Sequence, residues 1–131
     1  MPKLMSLVVC MTLLTWLSAL LASLIRARAW TPQGLMLAMG NRERMPELTP
    51  LAGRAQRAAA NSLENLVFFA ALALVAQAAG LVNDRVLLGA QVFLWARIAF
   101  LAVYLVGVPY LRTAIWAVSV VGLAMMVMGM S

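Results

Sequence analysis

The chain has 131 residues, of which 65% are hydrophobic and only 11% charged, with a net charge of +6 and a mean hydropathy of +0.96. A soluble domain carries about 25% charged residues, so this composition excludes an ordinary soluble fold and points to one polytopic membrane domain over residues 1–131. With no histidine and a single cysteine, Cys10, an internal disulfide is impossible, a Cys/His metal site is not expected, and histidine-based acid–base chemistry is excluded.

The first predicted span is Leu4–Ile25, an apolar run of 22 residues, long enough to cross ~30 Å of hydrocarbon as a helix. Lys3 before it and Ala27-Arg28-Ala29 after it imitate a signal peptide. The run is too long for one, and Arg26 and Arg28 follow it directly, as in a retained anchor. Cys10 lies within this run and is expected to be a small buried hydrophobe.

Residues 26–53 form the one long connection, in which Pro32, Gly34, Gly40, Pro46 and Pro50 rule out a continuous helix. A short turn over Leu35–Met39 is expected at the interface, with Trp30 anchored at headgroup level. Thr49-Pro50 reads as the entry to the next helix. The second span covers about 61–81, Asn83-Asp84 marks a turn, and the third covers about 86–108. Gly107 and Pro109 close it, and the fourth covers about 111–130. The expected architecture is an all-α bundle of four transmembrane helices.

The arginines set the orientation. The first long connection with the head of span two holds Arg26, Arg28, Arg42, Arg44, Arg54 and Arg57, and the third connection adds Arg112. The other side has only Lys3 and Arg85. This bias places the first and third connections in the cytoplasm and both termini outside. It also explains the net charge through topology and anionic lipid, without nucleic acid. The alanine- and methionine-rich spans suggest a bacterial inner membrane. Met125, Met126, Met128 and Met130 crowd the last span and are expected to pack or to face lipid rather than to relay a metal.

The candidate chemistry begins at the head of span two. Arg54, Arg57, Asn61, Glu64 and Phe68 recur at steps of three and four, which at ~100° per residue confines them to an arc of about 80° on one helix face. Glu64 is the only carboxylate inside a span, and Arg97 the only cation near the middle of one. Such residues are costly in a bilayer and by default suggest a site. Spans two and three are antiparallel neighbours, so a Glu64–Arg97 structural ion pair is expected, with Glu64 also placed for ligand contact. Arg54 is sufficiently explained as a positive-inside residue. Arg112 and Thr113 put a guanidinium beside a hydroxyl at the mouth of span four, a pair suited to a carboxylate or a thiolate. Tyr104 lies two turns beyond Arg97 on the same face, and Trp116 four residues beyond Arg112.

Together these residues resemble the MAPEG family, the membrane-associated proteins of eicosanoid and glutathione metabolism. The resemblance spans nearly the whole chain: Arg26-x-Arg28 after span one, RAxRAxxNSxEN from Arg54 to Asn65, Arg97 with Tyr104, and Arg112-Thr113 opening span four. It implies a homotrimer with glutathione as co-substrate, bound between subunits near the cytoplasmic side. The lipophilic electrophile or hydroperoxide would enter from the bilayer. By the family pattern Arg26, Arg57, Asn61, Glu64, Tyr104 and Trp116 would bind glutathione, and Arg112 and Thr113 would hold its thiolate. Three positions depart from the pattern. Ala60 stands where the animal prostaglandin-forming branch has arginine, Phe100 where that branch has histidine, and Val67 where bacterial relatives often have proline. The alternatives are a small four-span transporter coupled through Glu64 and a non-catalytic scaffold. Short drug exporters, however, carry their glutamate in span one, where this chain has no acid.

Overall fold

The computed structural model describes residues 1–131 and consists of five helices: α1 (Lys3–Ala27), α2 (Pro32–Met39), α3 (Pro50–Ala78), α4 (Asp84–Val106) and α5 (Pro109–Met130). All but α2 are long and apolar enough to cross a membrane. The protein is thus an all-α, multi-pass membrane bundle.

Local chemistry sets the helix ends. Thr49 caps α3 by accepting the Ala52 amide at 3.1 Å, and Pro50 occupies the first helical position, where no amide donor is needed. This entry carries α3 well ahead of its apolar segment, so the RAxRAxxNSxEN stretch is helical throughout. At the other end α3 stops at Ala78 rather than near residue 81. Gly80 adopts φ 69°, and the Gly80 and Leu81 amides fold back onto the carbonyls of Gln77 and Ala76, closing the helix in a Schellman motif.

The same closure ends α1, but there Arg28 takes the left-handed position with φ 53°, its amide on Ile25 and that of Ala29 on Leu24. A side chain in that region costs roughly 1–2 kcal/mol, whereas glycine adopts it freely. Arg28→Gly is therefore expected to raise the melting temperature, by a stabilisation of up to about 1 kcal/mol. A thermal scan in detergent checks this. Helix α2 then packs against the end of α1. A Cβ at Gly34 would lie 1.9 Å from the Arg28 carbonyl oxygen, so this corner requires glycine.

Helix α5 packs chiefly on α4, and α1 chiefly on α3, with α3–α4 and α1–α4 contacts joining the two pairs. The larger core lies in the half of the bundle away from the basic connections. There Phe69 and Phe93 stack with ring centroids 4.5 Å apart, surrounded by Leu4, Met11, Ala73, Ala76, Val86, Ala90, Leu94 and Met126. Between helices in lipid, association comes from close packing rather than from hydrophobic transfer, and small residues dominate the buried side of α3: Ala52, Gly53, Ala55, Ala58, Ser62, Ala73 and Ala76. Cys10 does not join the core; it is exposed on the outer face of α1, because Leu4, Met11, Thr15, Ser18 and Ala22 form the face that packs inward.

Candidate functional site

At the basic end of the bundle the packing opens. The head of α3, the last turns of α4 and the first turns of α5 enclose a cleft of about 230 Å³ lined by Asn61, Phe100, Tyr104, Arg112, Thr113 and Trp116. A smaller cavity of about 60 Å³ shares Tyr104 and Arg112 with it and is closed by Arg54, Arg57, Gly107, Val108 and Pro109. Five expected site residues thus surround the cleft, and Arg57 borders its annex.

The centre of the site is Tyr104, buried and held from three sides. Its hydroxyl accepts from Arg57 Nε at 3.1 Å, the Arg112 guanidinium lies 4.7 Å over its ring, and the Phe100 ring meets it edge-on at 5.3 Å. Arg97 in turn lies 4.2 Å over the Phe100 ring. The steps Arg97, Phe100, Tyr104 keep these groups on one face of α4, so the two rings sit between the cations Arg97 and Arg112. Such contacts are worth ~0.5–2 kcal/mol each, more where desolvated. Arg54 is more than a topology residue: its Nε donates to the Leu105 carbonyl at 3.2 Å, placing a cation at the C-terminus of α4. It crosses directly over Gly107, where an added Cβ would meet its guanidinium at 3.2 Å.

Arg97 is fully buried, and its Nη2 donates to Asn61 Oδ1 at 2.7 Å, with Ser62 Oγ at 3.5 Å. Its Nε and Nη1 have no acceptor. Asn65 Nδ2 also donates to Asn61, to the backbone carbonyl at 2.9 Å and to Oδ1 at 3.2 Å. The expected Glu64–Arg97 ion pair is therefore not formed within the chain. The reason is rotational. The arc carrying Arg57 and Glu64 is turned by about 100° from the packing face of α3 centred on Ser62, Asn65 and Phe69. Asn61, at the border of the two, reaches Arg97, while Glu64 is exposed on the outer face.

Two further expectations change in detail. Arg26 is not at the cleft; its guanidinium donates to the Pro46 carbonyl, tying α1 to the long connection. Thr113 lines the cleft, but its hydroxyl donates to the Pro109 carbonyl one turn back at 3.3 Å, which leaves its lone pairs, not its proton, for a ligand. Phe100, read from sequence only as a departure, is a wall of the site. Ser62 and Asn65 join this network beyond the residues expected from sequence, and Asn65 stands four residues after Asn61, the spacing at which helix side chains meet.

No carboxylate lines the cleft or its annex, and no group of three or more His, Cys, Asp or Glu residues lies together to hold a metal ion. Arg57, Arg112, Asn61 and Tyr104 form a set dominated by donors and positive charge, which suits an anionic ligand. The only side-chain acceptors on the cleft's lining are neutral oxygens, so it offers a cationic group no counter-charge. The cleft is also smaller than the ~300–1,000 Å³ of typical small-molecule sites, and it is open on one side.

Comparison with known families gives one finding: the model of the MAPEG family matches residues 4–130. The chain belongs to that family. No curated protein and no solved structure matches it.

Proposed function

We propose that this MAPEG protein is a glutathione-dependent membrane enzyme that binds reduced glutathione at the Arg57–Tyr104–Arg112 cleft and acts on a lipophilic electrophile or hydroperoxide reaching it from the bilayer. Family membership supports a glutathione-dependent, lipid-modifying role in general. The observation that carries the specific reading is the cationic, carboxylate-free cleft built around Tyr104. Bound glutathione supplies a thiolate as nucleophile or reductant. Arg57 and Asn61 hold its carboxylate and carbonyl oxygens. Arg112 stabilises negative charge on sulfur, since a cation within ~4–6 Å lowers an acid's pKa by about 1–3, bringing a thiol of pKa about 8.5 toward neutrality. Phe100 and Trp116 exclude water on the membrane side.

The reading includes a homotrimer. A carboxylate facing lipid is costly, and Glu64 is exposed on α3. A neighbouring subunit would cover it and let it complete the site as the acceptor for the glutathione ammonium. The cleft then opens on the cytoplasmic side, with both termini periplasmic in a bacterial inner membrane.

The test is a calorimetric titration of reduced glutathione into the purified oligomer in mild detergent. Saturable binding is expected, weakened in Glu64→Gln while the mass of the oligomer stays unchanged. Absence of binding up to several millimolar overturns the enzyme reading. The same titration ranks two hydroxyls. Tyr104→Phe frees Arg57 from its partner and is expected to weaken binding by ~5- to 10-fold, the cost of one hydrogen bond of about 1 kcal/mol or slightly more. Thr113→Val is expected to cost less, because its proton is already given to Pro109.

A further inference from the structure

We infer that Arg97 is a positioning residue that locks the Asn61 side-chain amide with its oxygen inward and its NH2 toward the cleft, so that Asn61 reads an oxygen acceptor on the ligand. The inference rests on the ligand reading above for the identity of the bound molecule, but not for the geometry.

An asparagine amide is ordinarily ambiguous, since its oxygen and nitrogen differ little in shape. Here the neighbours remove the ambiguity. A guanidinium has donors only, so the Asn61 atom 2.7 Å from Arg97 Nη2 must be oxygen. Asn65 enforces the same choice. Its Nδ2 is fixed as a donor by the Asn61 backbone carbonyl at 2.9 Å, and that same nitrogen meets Asn61 Oδ1 at 3.2 Å. Oδ1 thus takes two inward donors, and both Asn61 N–H groups remain for the cleft that Asn61 lines. Arg97 cannot drift from this role: it is fully buried and clamped over the Phe100 ring. Its charge is not consumed by a carboxylate, so the donor orientation of Asn61 and the positive wall of the cleft reinforce one another. Arg97 therefore acts on the ligand through Asn61, without touching it.

Asn61→Asp separates this from a purely structural role. The aspartate has the same shape and gives Arg97 a counter-ion, so the fold is expected to persist with an unchanged or higher melting temperature. One carboxylate oxygen, however, now faces the cleft as an acceptor where a donor stood. Glutathione binding is expected to fall about 10- to 100-fold. Binding as tight as in the wild type overturns the proposal. A cycle of Arg97→Met and Asn61→Ala adds a second readout: if Arg97 works through Asn61, the double variant binds as the Asn61→Ala single variant does, and independent, additive losses overturn it. Arg97→Lys, which keeps one donor for Oδ1, is expected to restore most of the binding lost in Arg97→Met.

A ligand-free arm keeps the geometry testable if wild-type protein fails to bind glutathione, a result that counts against the glutathione-dependent activity alone. With asparagine labelled by nitrogen-15, the Asn61 side-chain amide protons are expected to show proton–proton contacts to the cleft rings of Tyr104 and Trp116. Contacts only to Asn65 and Arg97 show the opposite orientation and overturn the proposal.

Discussion

Gly122→Val is expected to leave no folded, monodisperse protein in detergent. At this position α4 and α5 approach backbone to backbone: a Cβ on Gly122 would come 2.7 Å from the Gly89 carbonyl oxygen and 2.8 Å from the Phe93 amide nitrogen. Conversely, a Cβ on Gly89 would lie 2.6 Å from the Gly122 carbonyl oxygen. Overpacking in a core usually costs about 1–3 kcal/mol because side chains can shift. Here the obstructing atoms are main chain, so whole helices would have to separate, and α5 has little other contact to hold it. Such a loss rivals the whole stability of a small domain, about 5–15 kcal/mol. Since Arg112, Thr113 and Trp116 ride on α5, the cleft is lost with the hairpin. Gly80→Ala is the contrast: nothing lies within 4 Å of its added Cβ, and only the φ of 69° resists, at about 1 kcal/mol. Size-exclusion profiles and melting curves of the two variants check the difference. A Gly122→Val protein that melts like the wild type contradicts the packing described.

Arg112→Ala is expected to abolish thiolate formation on bound glutathione and to weaken binding by about 10- to 100-fold, the worth of a charge-assisted hydrogen bond of ~1.5–3 kcal/mol. Arg112 is the only cation on α5. It lines both the cleft and its annex, and it holds the ring of Tyr104 from above. It is half-buried near the start of its helix, where truncation to alanine leaves the helix backbone intact, so the protein is expected to fold normally. Arg44→Ala is the control. Arg44 stands on the long connection among Gln33, Arg42 and Glu43, so its loss changes net charge without touching the cleft, and binding is expected to persist.

Much of this arrangement was legible in the sequence. Long apolar runs declare spanning helices, and Thr49-Pro50 declares a helix start. Asn61, Tyr104, Arg112, Thr113 and Trp116, drawn from three helices, come together around one cleft. What the sequence did not disclose was which side of each helix faces inward. In a soluble protein the apolar stripe marks the core, but here the lipid-facing side is just as apolar. Trp16, Phe68 and Trp95 are exposed, while the buried face of α3 is largely alanine, glycine and serine. The polar arc of α3 is therefore visible in the sequence without its rotation relative to α4, and it is that rotation which brings Asn61 rather than Glu64 to Arg97. Likewise Gly89 and Gly122 lie far apart in sequence and in no GxxxG pattern, so their backbone contact emerges only from the folded hairpin.

The most direct test of the account is the ultraviolet absorbance of thiolate when reduced glutathione is added to the wild-type protein at neutral pH. The expected result is a saturable thiolate signal with the same midpoint as calorimetric binding, absent in Arg112→Ala and present in Arg44→Ala. Binding without any thiolate signal, or a signal undiminished in Arg112→Ala, would contradict the claim that this cationic cleft activates the glutathione thiol.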